Sequence, residues 1–182
     1  MKYIFGLIAC VAVLSFRPLG DIYSIAIKSI DGNQIDLNQY KGKKMLFIVL
    51  PLSGEDTTVS ISQLIELQTK YQSSLVVIGI PSEEAGYRTA DADRFKQLYK
   101  DASANFIITE GMKVKKGSGQ SALFQWLTSK ELNRHFDQDV QGVGSKFFVD
   151  EAGELYGVMG PQLKLTNPIL DRIITRPQVK KQ

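Results

Sequence analysis

KKMLFIVLPLSGEDTTVSISQLIELQTKY, residues 43–71, is the stretch on which the fold reading turns. Met45 to Leu50 is an unbroken apolar run bounded by lysines on one side and proline on the other, the pattern of a strand buried on both faces. Pro51, Ser53 and Gly54 stop it. Asp56, Thr57 and Thr58 then offer oxygens to cap a helix. Ile61, Leu64, Ile65 and Gln68 recur at helical spacing, so the spacing predicts a helix over 58–71. The order is strand, turn, helix, with the turn at the carboxyl end of a central strand. Open α/β sheets place their chemistry at such a turn. A cysteine there would be acidified by the helix N-terminus. Leu52-Ser53-Gly54-Glu55-Asp56 contains none, and its two acids would oppose a thiolate.

Working outward, Leu75 to Ile80 is a second apolar strand closed by Pro81, so 43–80 reads as a right-handed βαβ unit with parallel strands. Upstream, residues 22–30 and 33–37 flank Asp31-Gly32, a hairpin signal. Downstream, a helix is expected over 91–100, with Phe95 and Leu98 or Tyr99 inward, then a short strand at 106–108. A loop over 111–121 follows, then a helix over 121–133 burying Leu123, Phe124, Trp126 and Leu127. A second hairpin, 146–149 with 154–159, is expected around Asp150–Gly153. A last helix over 167–175 starts beside Pro168.

The chain has 182 residues, 43% hydrophobic and 23% charged, an ordinary composition for one domain with a sizeable core. Its 22 basic and 19 acidic residues give +3; without the first twenty residues, which hold Lys2 and Arg17 and no acid, 20 against 19 leaves +1. That balance does not suggest a nucleic-acid binder. Residues 1–20 read as a leader, with a basic start and an apolar core too short for a comfortable membrane span; the alternative is a buried first element of the fold, against which stands the lack of polar residues at helical spacing. Cleavage between Ser15 and Gly20 is one outcome. The other is lipidation of Cys10, since Leu7-Ile8-Ala9-Cys10 resembles a lipobox and would attach the chain to a membrane. Either way the chain is expected to be exported, to the periplasm or envelope of a bacterium. The domain is expected over 21–176, with a polar tail at 177–182. Cys10 is the only cysteine, so a chain cleaved after it has neither disulfide nor redox thiol.

Several strings resemble the glutathione peroxidase family, of thioredoxin fold, across roughly 22–175. They are Asp31-Gly32; residues 37–43, LNQYKGK; Gly79-Ile80-Pro81; Arg94-Phe95-Lys96; residues 123–130, LFQWLTSK; and residues 146–153, KFFVDEAG. The resemblance implies a mixed central sheet flanked by helices, with an N-terminal hairpin, and hydroperoxide reduction by a thiol or selenol in the turn before the first helix. Depending on register, that position falls on Ser53, Gly54 or Glu55. The family's glutamine falls on Glu84, its Trp-Asn pair on Gly142 and Val143, and the resolving cysteine of thioredoxin-dependent members on Ala92. None of these keeps the family's residue. Peroxide reduction needs a thiolate that becomes a sulfenic acid, so the matching positions imply a catalytically inactive homologue, without cofactor or metal; the alternative is an enzyme, either with residual peroxidase activity or a hydrolase built on Ser53. The binding target implied is an unidentified small molecule or envelope protein.

Three further constellations stand beside this reading. Ser53 with His135, the sole histidine, could form a hydrolase dyad, or His135 could be a solvated helix-end residue. Glu55-Asp56 and Glu83-Glu84 could face a cation or simply water. Lys113, Lys115 and Lys116 could meet an anion or solvent.

Overall fold

The computed structural model describes residues 20–54 and 59–177. The leader, Cys10, Glu55, Asp56, the two threonines after them and the end of the tail lie outside the described residues. Two strands, β1 (Ile27–Lys28) and β2 (Gln34–Ile35), pair antiparallel around Asp31-Gly32 as expected. Ile22–Ser24 is not extended: Asp21 accepts from Tyr23 N and winds it into a 3-10 turn.

The main sheet holds β3 (Lys44–Val49), β4 (Leu75–Ile80), β5 (Ile107–Ile108), β6 (Lys146–Val149) and β7 (Leu155–Met159). Its order is β5-β4-β3-β6-β7. The β3–β4 and β4–β5 pairs are parallel, and the β3–β6 and β6–β7 pairs antiparallel. Every residue of β3, β4 and β6 is buried. These strands are covered on both faces, which is why they read as unbroken apolar runs rather than alternation. One face packs Phe47, Ile78, Phe147, Phe124 and Trp126. The other packs Leu46, Ile48, Val77 and Phe148 with Leu64, Phe95, Tyr99 and Leu170. This is the thioredoxin-like arrangement, with the hairpin appended at its N-terminus.

The helices are α1 (Ile61–Tyr71), α2 (Ala92–Asp101), α3 (Ala122–Thr128), α4 (Lys130–Asn133) and α5 (Pro168–Thr175). Two helix boundaries differ from the sequence reading by more than one residue. Helix α1 begins three residues late, capped at Ser60 in extended geometry. Val59 and Leu64 sit in one buried cluster, so an apolar residue ahead of the cap and one in the first turn anchor the entry. The expected helix over 121–133 is broken at Ser129, which is extended. The break is held from below: buried Asn133 donates through Nδ2 to Trp126 O (2.9 Å), Leu127 O (3.3 Å) and Phe136 O (2.9 Å), and accepts from His135 N and Phe136 N. The last carbonyls of α3 are thus satisfied by a side chain instead of further helix.

Gln68, placed by its spacing on the inner face of α1, does more than pack. Its Nε2 donates to Leu75 O (3.1 Å) and its Oε1 accepts from Val77 N (2.7 Å). Because β5 pairs only with Ile78 and Gly79, this edge of β4 would otherwise hold bare backbone groups, and the amide stands in for the missing strand. Among the described residues no helix is long and apolar enough to cross a membrane.

Candidate functional site

The candidate edge lies where β3 and β4 end and β6 begins. Its floor is Leu50, which packs over Gly79; any Cβ on Gly79 would sit 2.6 Å from Leu50 Cδ1, so only glycine admits the contact. Pro51 is buried, whereas Ser53 and Gly54 are exposed. The turn is tied from beneath by Tyr99 of α2, whose hydroxyl donates to Pro51 O at 2.9 Å. Tyr99 sits within a run of ring contacts: Tyr87–Phe95 at 5.5 Å, Phe95–Tyr99 at 4.7 Å and Tyr99–Phe106 at 6.0 Å between centroids. A Cβ on Gly54 would lie 3.9 Å from Leu98, and one on Gly86 would lie 3.7 Å from Leu52. The turn therefore sits between α2 and the loop after β4.

The loop before β6 joins the same edge through the backbone. Gly144 N donates to Val49 O (2.8 Å) and Val49 N to Ser145 O (3.1 Å). Ser145 Oγ accepts from Gln141 N (3.0 Å). Gly142 at φ +131° has nothing within 4 Å of an added Cβ, so the position is open; Val143 is half-buried against both core clusters. Ala92 opens α2, about two turns of helix from Leu98. The fold thus brings Ser53, Gly54, Glu84, Gly142 and Val143 to one edge, with Ala92 further along its flank. Glu55 lies outside the described residues.

Glu84 is occupied elsewhere. Its carboxylate accepts from Val114 N (3.1 and 3.0 Å), Lys115 N (3.2 Å) and Ser82 Oγ (2.9 Å). Burial alone pushes this carboxyl up, but the backbone and hydroxyl donors outweigh it and hold the group below its usual range. It acts as a clasp for the 113–116 loop. That loop also uses its lysines internally: Lys116 Nζ meets Asp137 at 2.6 Å, and Lys113 folds over Gly119.

Ser53 and His135 are not brought together. His135 Nε2 lies 2.7 Å from Glu154 Oε2, beside the β6–β7 turn. Val149, before that turn, pairs with Met45 at the start of β3, while Ser53 lies beyond its end. The length of β3, six residues, separates them, roughly 20 Å at 3.3 Å per residue. No group of three or more His, Cys, Asp or Glu side chains able to hold a metal occurs among the described residues.

One residue of the edge was quoted in the sequence only as part of a string. Lys146 is fully buried, and its Nζ donates to Gly144 O at 2.6 Å. Burial first, and the Lys164 charge second, push its amine down to about 8. The signal was available: Lys146 heads an apolar run, and a central strand offers its first residue no route to water.

Three comparisons bear on this arrangement. The family model for glutathione peroxidase matches residues 22–128. Glutathione peroxidase 2 of Pongo pygmaeus is 26% identical over 111 residues, 61% of this chain and 53% of that protein. The Homo sapiens protein of the same name is 32% identical over 66 residues, 36% of this chain and 35% of its own. The chain thus spans about half the length, or less, of these curated relatives. Among solved structures, Trgpx in apo form superposes with a TM-score of 0.64 at 21% identity, covering 87% of this chain and 98% of that one. Trypanosomal T. cruzi GPX1 gives 0.64 at 18% identity, covering 85% and 94%. At these identities the superpositions speak for the fold.

Proposed function

The chain belongs to the glutathione peroxidase family, and we propose that it is an exported member that has lost the family's thiol chemistry and serves as a binding protein. One observation carries the reading: the turn after β3, where the family's nucleophile belongs, presents exposed Ser53 and Gly54, and the only cysteine of the chain is Cys10 in the leader. A hydroxyl cannot form the sulfenic acid through which a thiol peroxidase works. Removing a helper group slows a reaction by about 10²- to 10⁴-fold, whereas removing the nucleophile removes the covalent route. Glu84 supports the same reading, because its oxygens are engaged with the 113–116 loop. A hydrolase built on Ser53 would need a base other than His135, which sits at the far end of β3.

The test is hydroperoxide consumption with glutathione or thioredoxin as reductant, for the native chain, Ser53→Cys, and Ser53→Cys with Glu84→Gln. Native protein at the level of a heat-treated control is expected; robust native turnover overturns the reading. Export follows from the basic, acid-free leader and its apolar core. Intact mass of the envelope-fractionated protein distinguishes cleavage between Ser15 and Gly20 from a lipid on Cys10. An unprocessed chain in the cytosolic fraction contradicts export. The partner class is a small molecule or envelope protein, to be identified by co-purification from the native envelope.

A further inference from the structure

Met45, Met112 and Met159 are the methionines among the described residues, and they differ in access. Met45 is fully buried, and Met112 is 9% exposed with its Sδ accepting from Ser121 Oγ at 3.3 Å. Met159, the last residue of β7, is partly exposed and packs against the core face that holds Leu46, Ile48 and Phe148. It lies at the edge where the family's nucleophile belongs, because β7 ends beside the start of β6. A thioether has no proton to lose, so an accessible one is oxidised to a sulfoxide without the helix N-terminus or base that a thiol needs.

Opposite Met159 stands a cation short of acceptors. In the antiparallel β6–β7 register Met159 is the Cα partner of Lys146. Directly opposed side chains rise from the same face of a sheet, with Cβ atoms about 5 Å apart. Lys146 in turn partners Ile48, which belongs to the cluster that Met159 packs against. The ammonium of Lys146 is fully buried and offers several N–H donors, yet among the described residues its one acceptor is Gly144 O, at 2.6 Å. Burial first, then the Lys164 charge, lowers this amine to about 8. A thioether sulfur is a weak acceptor, whereas a sulfoxide is polar and carries an oxygen. Oxidation of Met159 therefore sets an acceptor on the same face as the Lys146 stem, at the directly opposed position.

We propose that Met159 is a modification site for hydroperoxides, and that its sulfoxide oxygen accepts a hydrogen bond from the ammonium of Lys146. The sulfur lone pair attacks the outer peroxide oxygen. The O–O bond breaks, an S=O bond forms, and the proton on that oxygen passes to the leaving alkoxide, giving an alcohol, or water from hydrogen peroxide. Sulfur is oxidised and the peroxide reduced by the same electron pair. The reaction is stoichiometric and needs no thiol, so it stands independently of the reading above. A sulfoxide in an apolar setting ordinarily disrupts packing; here it relieves a buried charge and ties the end of β7 to the start of β6.

The test treats the folded full chain with hydrogen peroxide and maps the oxidised peptides by mass. Addition of one oxygen atom to Met159, on the order of tenfold faster than to Met45 or Met112, is expected from its exposure. The Lys146 amine, followed by NMR of its ε-carbon, should then titrate about one pH unit higher, the size of one hydrogen bond to a charged group. Met159→Leu conserves the apolar volume, and its Lys146 titration should be unmoved by peroxide. Methionine sulfoxide reductase should return the oxidised native chain to its first titration. Oxidation of Met45 or Met112 as fast as Met159 overturns the proposal, as does resistance of Met159 in the folded chain. So does a Lys146 titration that is alike before and after oxidation, or loss of the folded state on oxidation, since the sulfoxide would then have found no donor.

Discussion

The two ends of the central strand pair each bury a lysine, and they resolve the charge in opposite ways. Lys44 opens β3 and meets Glu151 at 2.9 Å and Arg176 O at 2.7 Å. Lys146 opens β6, which runs the other way, and so comes to the opposite end, where among the described residues its one acceptor is the Gly144 carbonyl. The end with the ion pair also carries His135, Glu154 and the two unpartnered oxygens. The other end is where the family's nucleophile belongs; there the carboxylate of Glu84 is clasped by backbone and the amine of Lys146 is sealed from water. The polar groups at that edge are thus tied to backbone, while the end of Lys44 holds an ion pair, the His135–Glu154 contact and two buried oxygens without a partner among the described residues. A homologous fold thus does not by itself locate the reactive surface.

The largest effect is expected at the paired end. Lys44→Met leaves Glu151 partly buried without its cation and should cost about 3 kcal/mol in denaturant unfolding. The double variant Lys44→Met, Glu151→Met should recover most of that, since replacing a whole buried pair by apolar residues is often near neutral. If the single variant is as stable as the native chain, the contrast between the two lysines fails.

Lys146 should behave in the opposite sense. Its folded amine, lowered to about 8 from 10.5, binds its proton less well than the unfolded one. Below pH 8 both states are protonated and burial of the charge works against folding. Between about 8 and 10.5 the unfolded chain holds the extra proton, so stability rises with pH. Lys146→Met should therefore gain about 2 kcal/mol near neutral pH and lose that rise. A destabilised variant would mean that the bond to Gly144 O outweighs desolvation.

Glu84→Gln sharpens the account of the clasp. Glu84 is exposed, so its hydrogen bonds are screened and the loss should be about 1 kcal/mol. Its folded carboxyl is lowered, so its contribution is present above pH 4.5 and fades as pH falls through the folded value. Unfolding measured between pH 6 and 3 should show that slope in the native chain and not in the variant. Smallest of all, Ser53→Cys should leave stability within about 0.5 kcal/mol, as for other exposed positions. A larger shift would place Ser53 in contacts that its exposure does not indicate.

The order of elements was legible because each carries a local period. The runs 45–50 and 75–80 gave the parallel strands, and Asp31-Gly32 and Asp150–Gly153 the hairpins. Boundaries were less legible where a distant group sets them. The α3–α4 break depends on Asn133 reaching Trp126 O and Leu127 O, and no helical period encodes a side chain that ends the helix before it. The late start of α1 depends on burying Val59.

Of the candidate site, the sequence by itself determined what is missing: no register supplies a cysteine after β3, and chemistry that needs sulfur follows composition alone. It also determined the fold class, since patterning at periods of 2 and 3.6 residues selects which faces must be covered. Only the tertiary structure decided what the remaining polar residues do. Glu84 and Lys116 bind backbone or acids more than 20 residues away in the chain. Lys146 is sealed because β3 and β7 flank its strand, and Tyr23 and Glu151, 128 positions apart, share one wall. The physical reason is range: secondary structure is set by neighbours a few residues away, whereas burial, hydrogen-bond satisfaction and charge depend on whichever groups the completed fold brings within a few ångströms.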